Sequence, residues 1–171
     1  MKELTARKNI RLQGYDYSNA GYYSVTICVK DKHEMLGKID VGTNCVRPRL
    51  SEYGQIVDKE ILVLAKTYET VDVIKYVVMP NHIHLIIAIS LDSSGRTQFV
   101  PTISRIIKQF KGSITKQIGF SIWQPRFHDR IIRDEAEYQR IWQYIEENPV
   151  RWDEDEYNPK SILSGGYHEY S

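Results

Sequence analysis

The run Met79-Pro80-Asn81-His82-Ile83-His84-Leu85, set inside apolar sequence, constrains this chain more than any other feature. Residues 82–89 read His-Ile-His-Leu-Ile-Ile-Ala-Ile behind a Pro-Asn turn, which predicts a strand. Side chains alternate sides along a strand, so His82, His84, Ile86 and Ala88 share one face. Ile83, Leu85, Ile87 and Ile89 share the other, which reads as core. Cα atoms two residues apart on a strand lie about 6.5–7 Å from each other, so both imidazoles can reach one metal ion. Polar groups on a buried strand are costly unless something satisfies them. A bound metal is one candidate. A pair of hydrogen-bonded histidines on a half-exposed face would give the same sequence.

The 171 residues are enough for one domain with its own core, and no apolar run approaches the roughly 20 residues needed to span a membrane. The start, Met1-Lys2-Glu3-Leu4, shows no apolar export signal, so a cytoplasmic setting without membrane association is expected. Cys28 lies in an apolar run and reads as a reduced core thiol, and it shows no metal-ligand spacing with Cys45. The net charge of +1 hides an uneven spread. Residues 101–133 carry seven basic side chains (Arg105, Lys108, Lys111, Lys116, Arg126, Arg130, Arg133) against Asp129, whereas residues 134–171 carry ten acidic and three basic. A basic middle beside an acidic tail fits a face built for a polyanion. Two solvated helix faces of opposite sign fit it equally.

Residues 22–30 are rich in β-branched and aromatic side chains and predict a first strand. Gly37, Gly42, Asn44 and Pro48 make 31–50 a hairpin or loop excursion. Ser51 can cap a helix running to about Tyr68, with Ile56, Ile61, Leu62 and Ala65 on its apolar side. Val71 to Met79 is a second strand, joined to the histidine strand by a turn too short for anything but an antiparallel hairpin. After a polar loop over 90–100, a helix from about Thr102 to Gln117 carries the stripe Ile103, Ile107, Phe110 and Ile114. Residues 126–133 predict a fourth strand, and a helix from about Asp134 to Asn148 stops at Pro149. The chain after Trp152 reads as loosely ordered. Strand, helix, strand, strand, helix, strand, helix is an α+β, ferredoxin-like split βαβ layout with an added C-terminal helix. It divides the chain into a basic arm (1–20), a main domain (21–152) and an acidic tail (153–171). The first and third strands are central in this topology, so the histidines face whatever the added helix brings.

That helix brings Tyr144 and Asn148, four apart and on one face. An amide oxygen can be a third ligand for a hard or borderline cation, and imidazole and amide donors with open positions suit Mn²⁺ or Mg²⁺. A phenol beside a cation that polarises an electrophile can act as a covalent nucleophile. Taken singly, Tyr144 reads as a core aromatic and Asn148 as a helix-end residue.

Six stretches together resemble a known family. They are residues 9–18 (Asn-Ile-Arg-Leu-Gln-Gly-Tyr-Asp-Tyr-Ser), 23–28 (Tyr-Ser-Val-Thr-Ile-Cys), 78–84 (Val-Met-Pro-Asn-His-Ile-His), 106–111 (Ile-Ile-Lys-Gln-Phe-Lys), 126–133 (Arg-Phe-His-Asp-Arg-Ile-Ile-Arg) and 144–149 (Tyr-Ile-Glu-Glu-Asn-Pro). In that order and spacing, over about residues 9–152, the chain resembles the REP-associated tyrosine transposases. These are single-tyrosine members of the HUH (His, hydrophobic, His) endonuclease superfamily. The resemblance implies a ferredoxin-like fold with the histidine pair on a central strand. It implies that His82 and His84 bind a divalent metal, Mg or Mn, with Asn148 where related transposases place a glutamine. It also implies that Tyr144 attacks a DNA phosphate, leaving a 5′-phosphotyrosine and a free 3′-OH. Single-stranded DNA bearing palindromic hairpins is the implied substrate. Arg7, Lys8, Arg11, Arg105, Lys108, Lys111, Lys116, Arg126 and Arg130 would then contact DNA. Tyr15, Tyr17, Trp123 and Phe127 are base-stacking candidates, Phe127 equally a core residue. His128 and Asp129 read as structural or supporting residues near the site. A catalytically silent hairpin-binding regulator is the alternative, and either a monomer or a homodimer is compatible with the chain.

Overall fold

The computed structural model describes residues 20–40, 46–91 and 100–161. Arg7, Lys8, Arg11, Tyr15, Tyr17 and Cys45 lie outside the described residues, as do 162–171.

Strand β1 (Gly21–Cys28) is followed by a short hairpin, β2 (Gly37–Ile39) and β3 (Pro48–Leu50). Helix α1 spans Glu52–Thr67, and β4 (Val71–Val78) and β5 (His82–Ile89) form the expected antiparallel pair. Then come α2 (Ile103–Ile118), β6 (His128–Ile132) and α3 (Glu135–Glu147). The main sheet has the order β4-β5-β1-β6, so β1 and β5 are central, as the ferredoxin-like layout requires.

Each helix starts on a side chain that accepts an otherwise orphaned N–H. Ser51 accepts from Gly54 N, Thr102 from Arg105 N and Asp134 from Glu137 N. Glu137 reaches back to accept from Arg133 N at 2.9 Å, a reciprocal arrangement that fixes the entry of α3. Helix α2 ends at Gly119, whose φ of 95° lies in the left-handed region that glycine adopts without Cβ strain.

The core lies between one face of the sheet and helices α1 and α2. Val25, Ile27, Ile83, Leu85, Ile87 and Ile89 from the strands pack with Val57, Ile61, Leu64, Ile103, Ile106, Ile107, Phe110 and Ile114. The expected phase of α1 was wrong by part of a turn. Gly54, Val57, Ile61 and Leu64 are its buried residues, and Leu62 is 54% exposed. A Cβ at Gly54 would meet the Leu36 carbonyl oxygen at 1.9 Å, so the absent side chain lets α1 lie directly on the excursion before it. Leu36 in turn donates its N–H to Pro80 O, and Val29 N donates to Asn81 O, both at 2.8 Å. The turn that precedes the histidines is thereby pinned to backbone on two sides.

The opposite sheet face carries His82 and His84 and is covered by α3 and the segment behind it. That segment is folded through Ser161, against the expectation of loose order. A 3-10 turn (Trp152–Glu154) leads into residues 155–161, where Trp152, Asp155 and Asn158 are buried. Asn158 donates to Trp152 O at 2.9 Å, and Ser161 Oγ donates to Asp155 O at 2.8 Å. Among the described residues no helix is long and apolar enough to cross a membrane.

Candidate active site

His82 and His84 are buried on β5 with their ring centroids 4.6 Å apart. Each Nδ1 has a protein partner behind it. His84 Nδ1 lies 2.8 Å from Thr26 Oγ1, its cross-strand neighbour on β1, and His82 Nδ1 lies 2.8 Å from Asn81 Oδ1. Each Nε2 is buried and has no hydrogen-bond partner among the described residues. Burial holds the His84 imidazole down at about 3, and it holds His82 well below the usual range, with the neighbouring His84 adding to the effect. Both rings are therefore neutral near pH 7, as metal ligands must be.

Asn148 closes α3 and is also buried. Its Nδ2 donates to Asp155 Oδ2 at 3.0 Å, and the same carboxylate oxygen lies 3.9 Å from His82 Nε2. Exchanging the amide's oxygen and nitrogen would set a carbonyl oxygen against a carboxylate, so the network fixes its orientation. Asn148 Oδ1 is consequently turned away from Asp155 and is buried without a partner. Two imidazole nitrogens and one amide oxygen left unsatisfied in one buried neighbourhood are a donor set that fits a divalent cation. Among the described residues no three His, Cys, Asp or Glu side chains form a metal cluster. An amide is the third donor of this set.

Tyr144 presents its ring to the edge of His84, with centroids 5.1 Å apart and planes at 71°. Burial, with the charges of Asp155 and Glu156, pushes its phenol up to about 12. A cleft of about 510 Å³ opens beside it, lined by Arg140, Gln143, Glu147 and Arg151 among others. Arg140, Tyr144, Asn148 and Arg151 lie on one stripe of helical spacing. On the other side, Tyr157 lies over His82 at a centroid distance of 4.5 Å.

The structure thus brings four of the expected site residues together: His82, His84, Tyr144 and Asn148. The basic residues do not form one face with them. Arg105, Lys108 and Lys116 are exposed on α2, in the layer on the far side of the sheet. Arg126 is exposed before β6. Arg130 stands on the histidine face opposite Ser24 and pairs with Glu137 of α3. Lys111 is tied inward, donating to Gln124 O at 2.8 Å and Arg126 O at 3.1 Å, with Phe127 below its ammonium. Trp123 is 4% exposed within the core and offers no free stacking surface. His128 is exposed in register with Thr26, which places it on the histidine face two strands from His84, while Asp129 is buried.

Sequence reasoning missed Thr26, Asn81, Asp155 and Tyr157. Asn81 lay inside the motif already singled out. The other three carry no local signal, because strand register and tail packing bring them in.

A His-x-His pair on a central strand thus faces a tyrosine carried by the helix laid across it. No protein-family model matches the chain. A Haemophilus influenzae protein of uncharacterised function is 31% identical over 172 residues, covering 88% of this chain and 92% of its own length. A second Haemophilus influenzae protein, a presumptive REP-associated tyrosine transposase by name, is 26% identical over 144 residues, covering 80% of this chain and 74% of its own. The solved structure of a REP-associated tyrosine transposase bound to a REP hairpin superposes with a TM-score of 0.61 at 24% identity, over 81% of this chain and 72% of that one. The chain is thus similar in sequence and in fold to REP-associated tyrosine transposases.

Proposed function

We propose that this protein is a single-strand DNA transposase that binds palindromic, REP-like hairpins and cleaves and rejoins DNA through Tyr144. The observation that carries the reading is the placement of the Tyr144 ring against His84, beside three buried and unsatisfied donor atoms. His82 and His84, through Nε2, and Asn148, through Oδ1, would hold a divalent cation. Mg²⁺ or Mn²⁺ bound there supplies Lewis-acid polarisation of a phosphoryl oxygen.

The residues divide the remaining work. Thr26 and Asn81 brace the two imidazoles, and Asp155 braces the Asn148 amide. His84 orients the Tyr144 ring. Tyr144 Oη loses its proton to solvent and bonds to phosphorus, while the bond from phosphorus to the neighbouring 3′ oxygen breaks. That oxygen takes up a proton and leaves as a 3′-OH, and the 5′ end stays on the tyrosine. Attack by a second 3′-OH reverses the step and joins new ends. Arg105, Lys108, Lys116 and Arg126 are exposed on other faces and would contact the DNA backbone away from the cleavage site. Arg140, beside the cleft at Tyr144, would reach a phosphate flanking the cut, whereas Arg151 is paired with Glu147 and the cleft also holds Glu154, Asp155 and Glu156.

A labelled hairpin with single-stranded flanks, incubated with and without Mn²⁺, tests this. Cleavage that needs the metal and is lost in Tyr144→Phe supports the transposase. Tight hairpin binding with no cleavage under either condition supports the silent regulator. The Tyr157 ring over His82 favours that second reading.

A further inference from the structure

We propose that Asn81 is a positioning residue that sets the tautomer of His82, keeping the proton on Nδ1 and the lone pair on Nε2. Its functional meaning rests on the reading of His82 as a metal ligand, but the geometry behind it does not. A primary amide has two N–H donors on one side and a carbonyl acceptor on the other. Asn81 is 1% exposed, and its Nδ2 donates to Lys32 O at 3.0 Å and to Tyr157 O at 2.7 Å. Both partners are backbone carbonyls, which only accept. The two amide hydrogens are therefore engaged, and turning the amide over would place its oxygen against two others.

With the nitrogen so fixed, it is Oδ1 that faces His82 Nδ1 at 2.8 Å. A carbonyl oxygen cannot donate, so Nδ1 must carry the hydrogen. A neutral ring with its proton on Nδ1 has its lone pair on Nε2, the atom left buried without a partner. The backbone around Asn81 keeps this arrangement in place. Its own carbonyl accepts from Val29 N at 2.8 Å, and Met79 N donates to His82 O at 2.8 Å across the turn. Asn81 thus connects the excursion at Lys32, the tail at Tyr157 and the imidazole. The Tyr157 carbonyl gives the segment behind the tyrosine helix a direct part in preparing the ligand.

The test is ¹⁵N NMR of the full chain, labelled at histidine and held metal-free with chelator near pH 7.5. Long-range proton–nitrogen correlations report which ring nitrogen carries hydrogen, and loss of the signal in His82→Gln assigns it. The expected spectrum shows a protonated Nδ1 and a bare Nε2 for His82. Asn81→Ala shifts the ring towards the Nε2–H form and weakens Mn²⁺ binding by about 10-fold or more. A protonated Nε2 in the wild-type protein, or an Asn81→Ala spectrum unchanged from wild type, overturns the proposal. If Asn81→Ala does not fold, the wild-type spectrum decides it. Failure of the metal reading shows separately: wild-type protein with the expected tautomer but no Mn²⁺ binding refutes the metal site and upholds the assignment to Asn81.

Discussion

Taking the metal-free protein from pH 7.5 to 5.5 should lower its folding stability, by about 1.4 kcal/mol through His84 alone and further in the same direction through His82. Burial holds His84 at about 3 and His82 well below its ordinary value, whereas both titrate near 6.5 once the chain unfolds. The folded-state values are depressed, so the unfolded chain takes up the protons first as the pH falls. The stabilisation is complete above 6.5 and declines below it until the folded-state value is reached. His84 costs about 1.4 kcal/mol per pH unit within that window, and His82 adds a loss of the same sign. For His84 alone the decline continues to about pH 3 and amounts to about 5 kcal/mol. The buried Asp155 carboxyl is raised from 3.8, chiefly by burial, and so acts in the opposite sense. Urea unfolding followed by circular dichroism, in chelator at pH 7.5, 6.5 and 5.5, measures the slope. The His82→Gln/His84→Gln protein should lose most of it. An equal pH slope in the double variant, or a flat wild-type profile, would refute the claim that both rings are buried neutral. A domain of this size has roughly 5–15 kcal/mol to lose, so the effect is within easy reach of the assay.

Other parts of the structure give sharper local predictions. Asp155→Ala frees the Asn148 amide and should weaken Mn²⁺ binding by about 10–100-fold; unchanged affinity would remove Asp155 from the site. Gly54→Ala forces a Cβ into the Leu36 carbonyl and should cost about 1–3 kcal/mol in denaturant unfolding; a neutral result would mean that the excursion yields freely. Lys111→Met removes donors to two loop carbonyls and should cost about 1 kcal/mol of stability with the salt dependence of hairpin binding unchanged. Lys108→Ala should do the reverse, leaving stability intact and lowering the salt slope by about one unit.

The scaffold was legible because local patterning and tertiary demand agree along most of it. The alternation of β5, the caps at Ser51 and Thr102, and the short Pro80-Asn81 turn each carry their own signal, and together they define the ferredoxin-like order. The phase of α1 was less legible, since Leu62 and Val63 are as apolar as Leu64 and only packing chooses among them. Lys111 read as a free cation because its carbonyl partners come from a loop more than ten residues away. The segment Trp152–Ser161 was misread for a related reason. It has no apolar period, and its order comes from Asp155, Asn158 and Tyr157 meeting partners in the site. Tyr144 and Asn148 were found by helical spacing and by family resemblance, but the two side chains that hold the site amides, Asn81 and Asp155, become visible only in three dimensions.

The most direct test of the central claim is to locate the covalent bond. Protein incubated with hairpin DNA and Mn²⁺ would be treated with nuclease and trypsin, and the adducted peptide identified by mass spectrometry. Cleavage after Arg140, Arg151 and Lys160 separates Tyr144, in Ile141–Arg151, from Tyr157, in Trp152–Lys160. The account predicts a 5′-nucleotide on the Ile141–Arg151 peptide, absent without metal. A nucleotide on the peptide holding Tyr157, or strand cleavage with no adduct on any peptide, would contradict it.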